Sequence, residues 1–274
     1  MLTGVDVSHY DERVDWMKLA QGGVRFAIAK LSQGDYYRDD KCRDHLAGAA
    51  AAGMRTGIYH WVDPQCSPQR QVPFLMECAQ GLDYRFICLD VEQHAPWLAA
   101  YPAKLLPKKA QGKPGSKSGW MRKQAAVSVN FSARQISDCA ERMARLIKAQ
   151  SSLPLVIYTR VSFIMEYARP ILEWIRDYPL WLAQYPLLPA PAARLTWENL
   201  NQVYPRQSAP LLPQGCTGWA FWQWSGDRLR LPGVSSCVDL NFFNGDTADL
   251  DAFLGVHRVE MVSGAVPEPL RRMA

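Results

Sequence analysis

No stretch of the chain comes near the roughly 18 consecutive apolar residues that a membrane-spanning helix needs, so no span is expected. Missing too are the glycine patterns that cradle phosphates or expose a nucleophile: there is no G-x-G-x-x-G, no P-loop and no G-x-S-x-G. An open doubly wound sheet built around a nucleotide loses its usual signature with them. The seven cysteines (42, 66, 78, 88, 139, 216 and 237) form no C-x-x-C pair and no tight cluster with histidine. An odd, scattered set in a chain of 274 residues argues for reduced, mostly buried thiols rather than a disulfide framework or a zinc site. Acids are absent from residues 93–137, which carry eight Lys or Arg. That stretch more than accounts for the net charge of +5 and leaves the rest of the chain near −3. The excess is a local basic insertion, so the chain as a whole is not read as a nucleic-acid binder.

What is present suits one large core: 48% of the residues are hydrophobic and 21% charged. Ten tryptophans and eleven tyrosines fit either a deep interior or a sugar-binding cleft. Eight strand-like runs can be read, at 3–8, 25–32, 55–62, 85–91, 153–159, 179–185, 218–224 and 237–243. Helical patterns fall between several of them. One covers about 38–52 and stops at Gly53; another covers 133–150, with Ser132 as N-cap and Ile136, Ala140, Met143 and Ile147 on one face. A third, near 162–177, contains Pro170 and should break there. Strands alternating with helices argue for a parallel sheet, and eight of them favour closure into a barrel. The expected fold is therefore α/β, a TIM-like (β/α) barrel over residues 1–254, followed by a short tail at 255–274. A Pro/Gly/Lys-rich insertion at about 95–124 and a Pro-rich stretch at 186–216 read as long loops.

Three strands share one grammar. In "GVDVS" Asp6 opposes Val5 and Val7; in "ICLDVE" Asp90 and Glu92 oppose Leu89 and Val91; in "CVDLNFF" Asp239 and Asn241 oppose Val238 and Leu240. At a period of two, the acids leave one face of each strand and the apolar residues the other. If the apolar face packs under helices, four carboxylates point inward near the C-terminal rim, where barrel enzymes place their chemistry. Burying four such groups without a purpose would be costly.

These segments occur in a recognisable order. "GVDVSHYDERVDW", "AKLSQG", "AGMRTGIYHW", "LDVE", "PLWLAQY", "GWAFWQWS" and "VDLNFF" together resemble glycoside hydrolase family 25, the β-1,4-N-acetylmuramidases or lysozymes, over roughly residues 3–245. The resemblance implies an irregular, flattened barrel with some helices missing, and an acidic quartet at Asp6, Asp90, Glu92 and Asp239. One departure stands out: a Glu commonly follows the second strand in the family, and Gln33 stands here.

For glycosidic cleavage Glu92 is the candidate acid, because crowding by Asp90 and partial burial raise a carboxyl toward neutrality. Residues i and i+2 of a strand have Cα atoms about 6.5–7 Å apart, which leaves inverting and retaining geometries both open. N-acetylated sugars allow a third route, in which the 2-acetamido oxygen attacks; Asp90 suits the role of orienting it, and this is the favoured mechanism. Asp6 and Asp239 would fix water, sugar hydroxyls or the charge of the pair. Tyr59, Trp61, Tyr185, Trp222 and Trp224, with Gln223, are the candidate sugar contacts at strand ends, and His9 and His60 read as hydrogen-bonded structural residues. No metal or organic cofactor is expected.

The expected partner is the peptidoglycan glycan strand, met by a monomer. The basic insertion, with Lys104, Lys108, Lys109, Lys113, Lys117, Arg122 and Lys123, would add anionic wall polymers, unless it is merely a solvated loop. The opening "MLTGVDVSHYDER" lacks a basic n-region and an apolar h-region, so no secretory signal is expected. Synthesis in the cytoplasm and action on the wall, as a phage endolysin or a virion-associated lysozyme, fit that reading. Two other functions compete with the muramidase: a catalytically silent glycan-binding barrel, and a hydrolase of another N-acetylated glycan such as chitin.

Overall fold

A computed structural model describes residues 1–11, 13–96, 130–186, 209–235 and 237–256. Nine strands form in chain order: β1 (Leu2–Val7), β2 (Val24–Gln33), β3 (Tyr37–Arg38), β4 (Arg55–Trp61), β5 (Ile87–Asp90), β6 (Leu155–Thr159), β7 (Leu180–Ala183), β8 (Phe221–Leu229) and β9 (Val238–Phe243). Their order in the sheet is β1-β9-β8-β7-β6-β5-β4-β2-β3, and a further β1–β2 pairing closes the first eight into a barrel. The expected fold is thus the observed one. β3 is an addition: two residues folded back antiparallel on the end of β2, outside the ring and too short to leave a periodic signal.

One direction differs from the all-parallel expectation. β9 runs antiparallel to both its neighbours, β1 and β8. Its beginning therefore lies at the rim where its neighbours end, and Asp239 near its start pairs directly opposite Asp6 near the end of β1. A parallel β9 would have carried Asp239 to the far end of the barrel.

Alternation sorts the side chains into two layers. Val5, Val7, Trp222, Val238 and Leu240 belong to the outer layer, between barrel and helices. Phe26, Ile28, Phe86, Cys88, Trp181, Phe221 and Phe243 fill the barrel itself, joined by Leu250 of a C-terminal helix, α6 (Thr247–Phe253), and by Leu254 just after it. The inner rings leave no room on two strands. A Cβ on Gly4 would come within 2.3 Å of the Phe26 ring, and one on Gly57 within 2.3 Å of Phe86, so both positions require glycine.

Of the helices, α4 (Ala133–Lys148) begins where the sequence predicts: Ser132 and Gln135 form a capping box, and Ile136, Ala140, Met143 and Ile147 are fully buried. α2 (Cys42–Ala51) ends just before Gly53, whose φ of 80° suits glycine alone. α5 (Val161–Tyr167) stops ahead of Pro170, which sits instead in the first turn of a 3-10 helix, Arg169–Glu173, where no N–H is needed. Three helices escape the sequence reading, α6 among them. α1 (Trp16–Gln21) is too brief for periodicity, and α3 (Pro68–Ala79) has a proline inside it, Pro73.

All seven cysteines are free. Among the described residues, no helix is long and apolar enough to cross a membrane. Most of the basic insertion (residues 97–124), residues 187–208 of the second loop and the tail from 257 lie outside the described residues.

Candidate active site

Four strands that neighbour one another around the barrel, β1, β9, β8 and β7, build one half of the rim. Gln223 on β8 is its hub. Its Nε2 donates to Asp6 Oδ2 and to Asp239 Oδ2, both at 3.0 Å, and its Oε1 accepts from the hydroxyls of Tyr158 (2.8 Å) and Tyr185 (2.7 Å). Asn241 Nδ2 donates a second bond to Asp6 Oδ2 at 2.6 Å, and its own oxygen accepts from Trp181 Nε1 at 2.8 Å. Inward parity explains the set, since Asp6, Gln223, Asp239 and Asn241 all lie on the face opposite the outer-layer residues. Every polar position of the Gln223 amide is filled by protein, which removes it from the expected sugar contacts.

The other half is built by β5 with β2 and β4. Asp90 ends β5 and is only 4% exposed, and its Oδ1 is buried with no hydrogen-bond partner among the described residues. Beyond the strand, extended pairing continues as Val91 N–H donates to the Tyr158 carbonyl and Thr159 Oγ1 donates to the Val91 carbonyl, both at 2.9 Å. That continuation holds Glu92 on the same side as Asp90. Burial, reinforced by the charge of Glu92, lifts the Asp90 carboxyl well above the usual carboxylate range. Burial also lifts Glu92, against the opposing pull of Arg160 and Lys30. Both shifts favour the protonated forms relative to an exposed pair.

Lys30 is the residue that sequence reading missed. It lies on β2, one strand over from Tyr59 in the register and on the inward face with Phe26 and Ile28. Its Nζ sits 4.9 Å from the ring centre of Trp61 and 5.8 Å from those of Tyr37 and Tyr59. Burial pulls the ammonium below its ordinary range, while Asp90, Asp39 and Glu92 pull it back up. The signal was present in "RFAIAKLS": a lysine in the same period-two register as two core residues, Phe26 and Ile28.

Tyr59 and Trp61 are half-buried on the cleft side, and Tyr185 is 44% exposed at the end of β7. The Tyr59 hydroxyl lies well above its ordinary range through burial and the charges of Asp6, Asp90 and Asp239, so one ring senses both halves of the rim. Trp61 is fixed by a relay: its Nε1 donates to Gln93 Oε1 at 2.8 Å, and Gln93 Nε2 donates to Asp63 Oδ1 at 3.0 Å. Gln33, the departure from the family pattern, donates to the Tyr36 hydroxyl, which in turn donates to Asp63. Trp222 and Trp224 are not brought to the cleft. They are 0% and 2% exposed, leave the outward face of β8 and pack edge-on or tilted against Trp219 and Phe242, because the inward position between them belongs to Gln223.

The two strand-end histidines sit in hydrogen-bonded settings. His60 is fully buried between Ser32 Oγ (2.8 Å) and Gln71 Oε1 (3.3 Å), and burial depresses it to about 4, so it is neutral. His9 Nδ1 lies 2.8 Å from the Tyr37 hydroxyl and 3.0 Å from Asp39 Oδ2.

A closed α/β barrel with a buried carboxyl pair and two further carboxylates on one rim has the parts of a glycoside hydrolase, and comparison with known proteins agrees. The chain belongs to the glycosyl hydrolases family 25, whose model matches residues 5–234. It is 27% identical over 252 residues to Lysozyme M1 of Streptomyces globisporus, a match covering 90% of this chain and 69% of that protein. Among solved structures it is similar to a bacterial lysozyme from Streptomyces coelicolor, with a TM-score of 0.66, 24% identity and coverage of 93% of this chain and 98% of that one. It is also similar to a family 25 glycosyl hydrolase from Bacillus anthracis, with a TM-score of 0.62, 16% identity and coverage of 92% and 93%.

Proposed function

We propose that the protein is a muramidase that hydrolyses the β-1,4 bond between N-acetylmuramic acid and N-acetylglucosamine in peptidoglycan. Family membership and the lysozyme relatives support the reaction class. One observation carries the assignment of roles: a buried Asp90 oxygen without a hydrogen-bond partner among the described residues, beside a Glu92 that is raised by burial.

Glu92 acts first as an acid, giving its proton to the leaving glycosidic oxygen as the bond to C1 breaks. The 2-acetamido oxygen of the same sugar attacks C1, and the acetamido N–H donates to the Asp90 carboxylate. That donor favours the ionised form of Asp90 and so leaves the shared proton of the pair on Glu92, where the reaction needs it. Water then attacks C1 and gives its proton to Glu92, which restores the acetamido group and the starting protonation state. Asp6 and Asp239, held by Gln223, are fixed acceptors for sugar hydroxyls or water on the opposite side. Tyr59, Trp61 and Tyr185 supply ring faces for sugar. The basic insertion extends the contact to anionic wall polymers, and the enzyme reaches the wall as an endolysin or a virion-associated lysozyme does.

Digestion of purified peptidoglycan, followed by borohydride reduction and mass spectrometry, tests the proposal. Reduced N-acetylmuramic acid ends are expected, with the β anomer formed first in a rapid NMR time course. Reduced N-acetylglucosamine ends would make it a glucosaminidase, anhydro-muramyl ends a lytic transglycosylase, and no new ends a silent barrel; each outcome overturns the proposal.

A further inference from the structure

A lysine directed into a barrel is an anomaly in itself, since an ammonium loses its hydration there and long side chains ordinarily escape to the surface. Lys30 is held in place by aromatic faces. Its Nζ is within 5.8 Å of three ring centres, those of Tyr37, Tyr59 and Trp61, a spacing at which ring quadrupoles attract a cation. Trp61 is in turn locked by Gln93 and Asp63. No carboxylate among the described residues lies within ion-pair distance of the Lys30 ammonium, although Asp90, Glu92 and Asp39 all act on it through space. The charge is thus placed beside the acid pair without being bonded to either member.

Resting on the muramidase reading, we propose that Lys30 is a positioning residue for the reaction: its caged charge holds the Asp90–Glu92 pair to a single proton, so that one carboxyl can donate while the other stays an anion. Without a nearby cation, burial and mutual repulsion would favour two protons on the pair, and Asp90 could no longer serve as the charged acceptor for the acetamido N–H. A direct ion pair would fail in the opposite way, by fixing one carboxylate's geometry and occupying the oxygen that the substrate needs. Placing the cation in an aromatic cage satisfies both demands. The other groups facing this pair are consistent with that division. Asp6 adds negative charge from β1, Tyr59, Cys88, Tyr158 and Tyr185 are held neutral by burial, and the exposed Arg160 is a second cation acting on both carboxyls.

The test compares Lys30→Met and Lys30→Arg with the parent enzyme. Loss of the charge in Lys30→Met raises the affinity of both carboxyls for protons. Both limbs of the bell-shaped profile of kcat against pH should then move to higher pH, by on the order of one unit. At a pH on the acidic limb kcat should fall by about tenfold with KM little changed, and Lys30→Arg should keep the parent profile. A Lys30→Met profile with unmoved limbs, or a Lys30→Arg profile displaced as far as that of Lys30→Met, overturns the proposal. Titration of the pair by carboxyl 13C NMR gives the same reading without turnover. A shifted titration in a parent protein that cuts no peptidoglycan would sink the muramidase reading and leave the role of Lys30; active enzyme with an unshifted titration would do the reverse. If Lys30→Met does not fold, Lys30→Gln removes the same charge and is judged by the same two limbs.

Discussion

Asp6 and Asp239 share the side-chain nitrogen of one glutamine, and Asp6 takes a further bond from Asn241. Across the barrel, Asp90 keeps a buried oxygen without a hydrogen-bond partner among the described residues, and the Lys30 ammonium that acts on it sits on rings instead of on a carboxylate. Both halves bury negative charge at the same rim, yet one is satisfied by neutral amide donors and the other is left under electrostatic tension. A saturated network of this kind holds geometry and specifies one packing. An unsaturated one keeps its pKa values displaced and an acceptor unpartnered, as sites of acid catalysis do. On the proposed mechanism, β1, β8 and β9 are scaffold and β5 carries the chemistry, and the contrast can be attacked from either side.

The largest effect is expected on the unsatisfied half. Glu92→Gln preserves shape but removes the transferable proton, so activity should drop by roughly 10²–10⁴-fold while the protein stays folded. Near-parental clearing of cell walls by this variant would end the assignment. Asp90→Asn should also be severely impaired, and if it stayed active while Asp6→Asn was dead, the two halves would have been assigned the wrong way round.

On the satisfied half the loss should appear in stability first. Gln223→Leu is close in volume, but it leaves two adjacent carboxylates without their shared donor and the Tyr158 and Tyr185 hydroxyls without their acceptor. A loss of about 2–4 kcal/mol is expected by urea unfolding. An unchanged midpoint would mean that the network contributes nothing to the fold.

The dependence of stability on pH separates the acid pair from a neutral buried histidine of the same half. His60 titrates near 6.5 when unfolded and at about 4 when folded, so between those values only the unfolded chain takes up the proton. Stability should fall as pH drops through that window, by up to about 3 kcal/mol from this residue. The acid pair acts in the opposite direction. Its folded pKa values are raised, so the native pair keeps a proton that the unfolded chain has released, and its contribution declines as pH rises above the usual carboxylate range. Asp90→Asn should therefore gain stability relative to the parent between pH 4 and pH 8, and an equal difference at both pH values would contradict the shift.

The smallest effect belongs to a region read from sequence alone. Changing Lys104, Lys108, Lys109 and Lys113 to Gln should weaken binding to whole cell walls a few-fold at low salt and flatten its salt dependence, because exposed charges are screened over about 8 Å at 0.15 M. Hydrolysis of a short uncharged oligosaccharide should not change. If wall binding at low salt is unaltered, the insertion is only a solvated loop.

Much of this rim is legible in the amino-acid sequence. Alternation at a period of two decides which residues share a strand face, and that is enough to align Asp6, Asp90, Glu92 and Asp239 with one another and against the valines and leucines of their strands. Ser132 and Pro170 likewise act through local sterics and local hydrogen bonds, so the start of α4 and the end of α5 can be read directly. "WQW" at 222–224 holds the same information, since Gln223 shares its register with the polar set and its flanking tryptophans with the apolar set. Reading all three as sugar contacts ignores that parity.

Parity says nothing of strand direction or of neighbours distant in sequence, and there the tertiary structure decided. Asp239 meets Asp6 only because β9 turns antiparallel, a choice made by how the last strand closes the ring. Lys30 looks like any surface lysine in the sequence. It becomes a counter-charge only when β2, β3, β4 and β5 come together, so that rings from β3 and β4 surround an ammonium whose loss of hydration no single strand could offset.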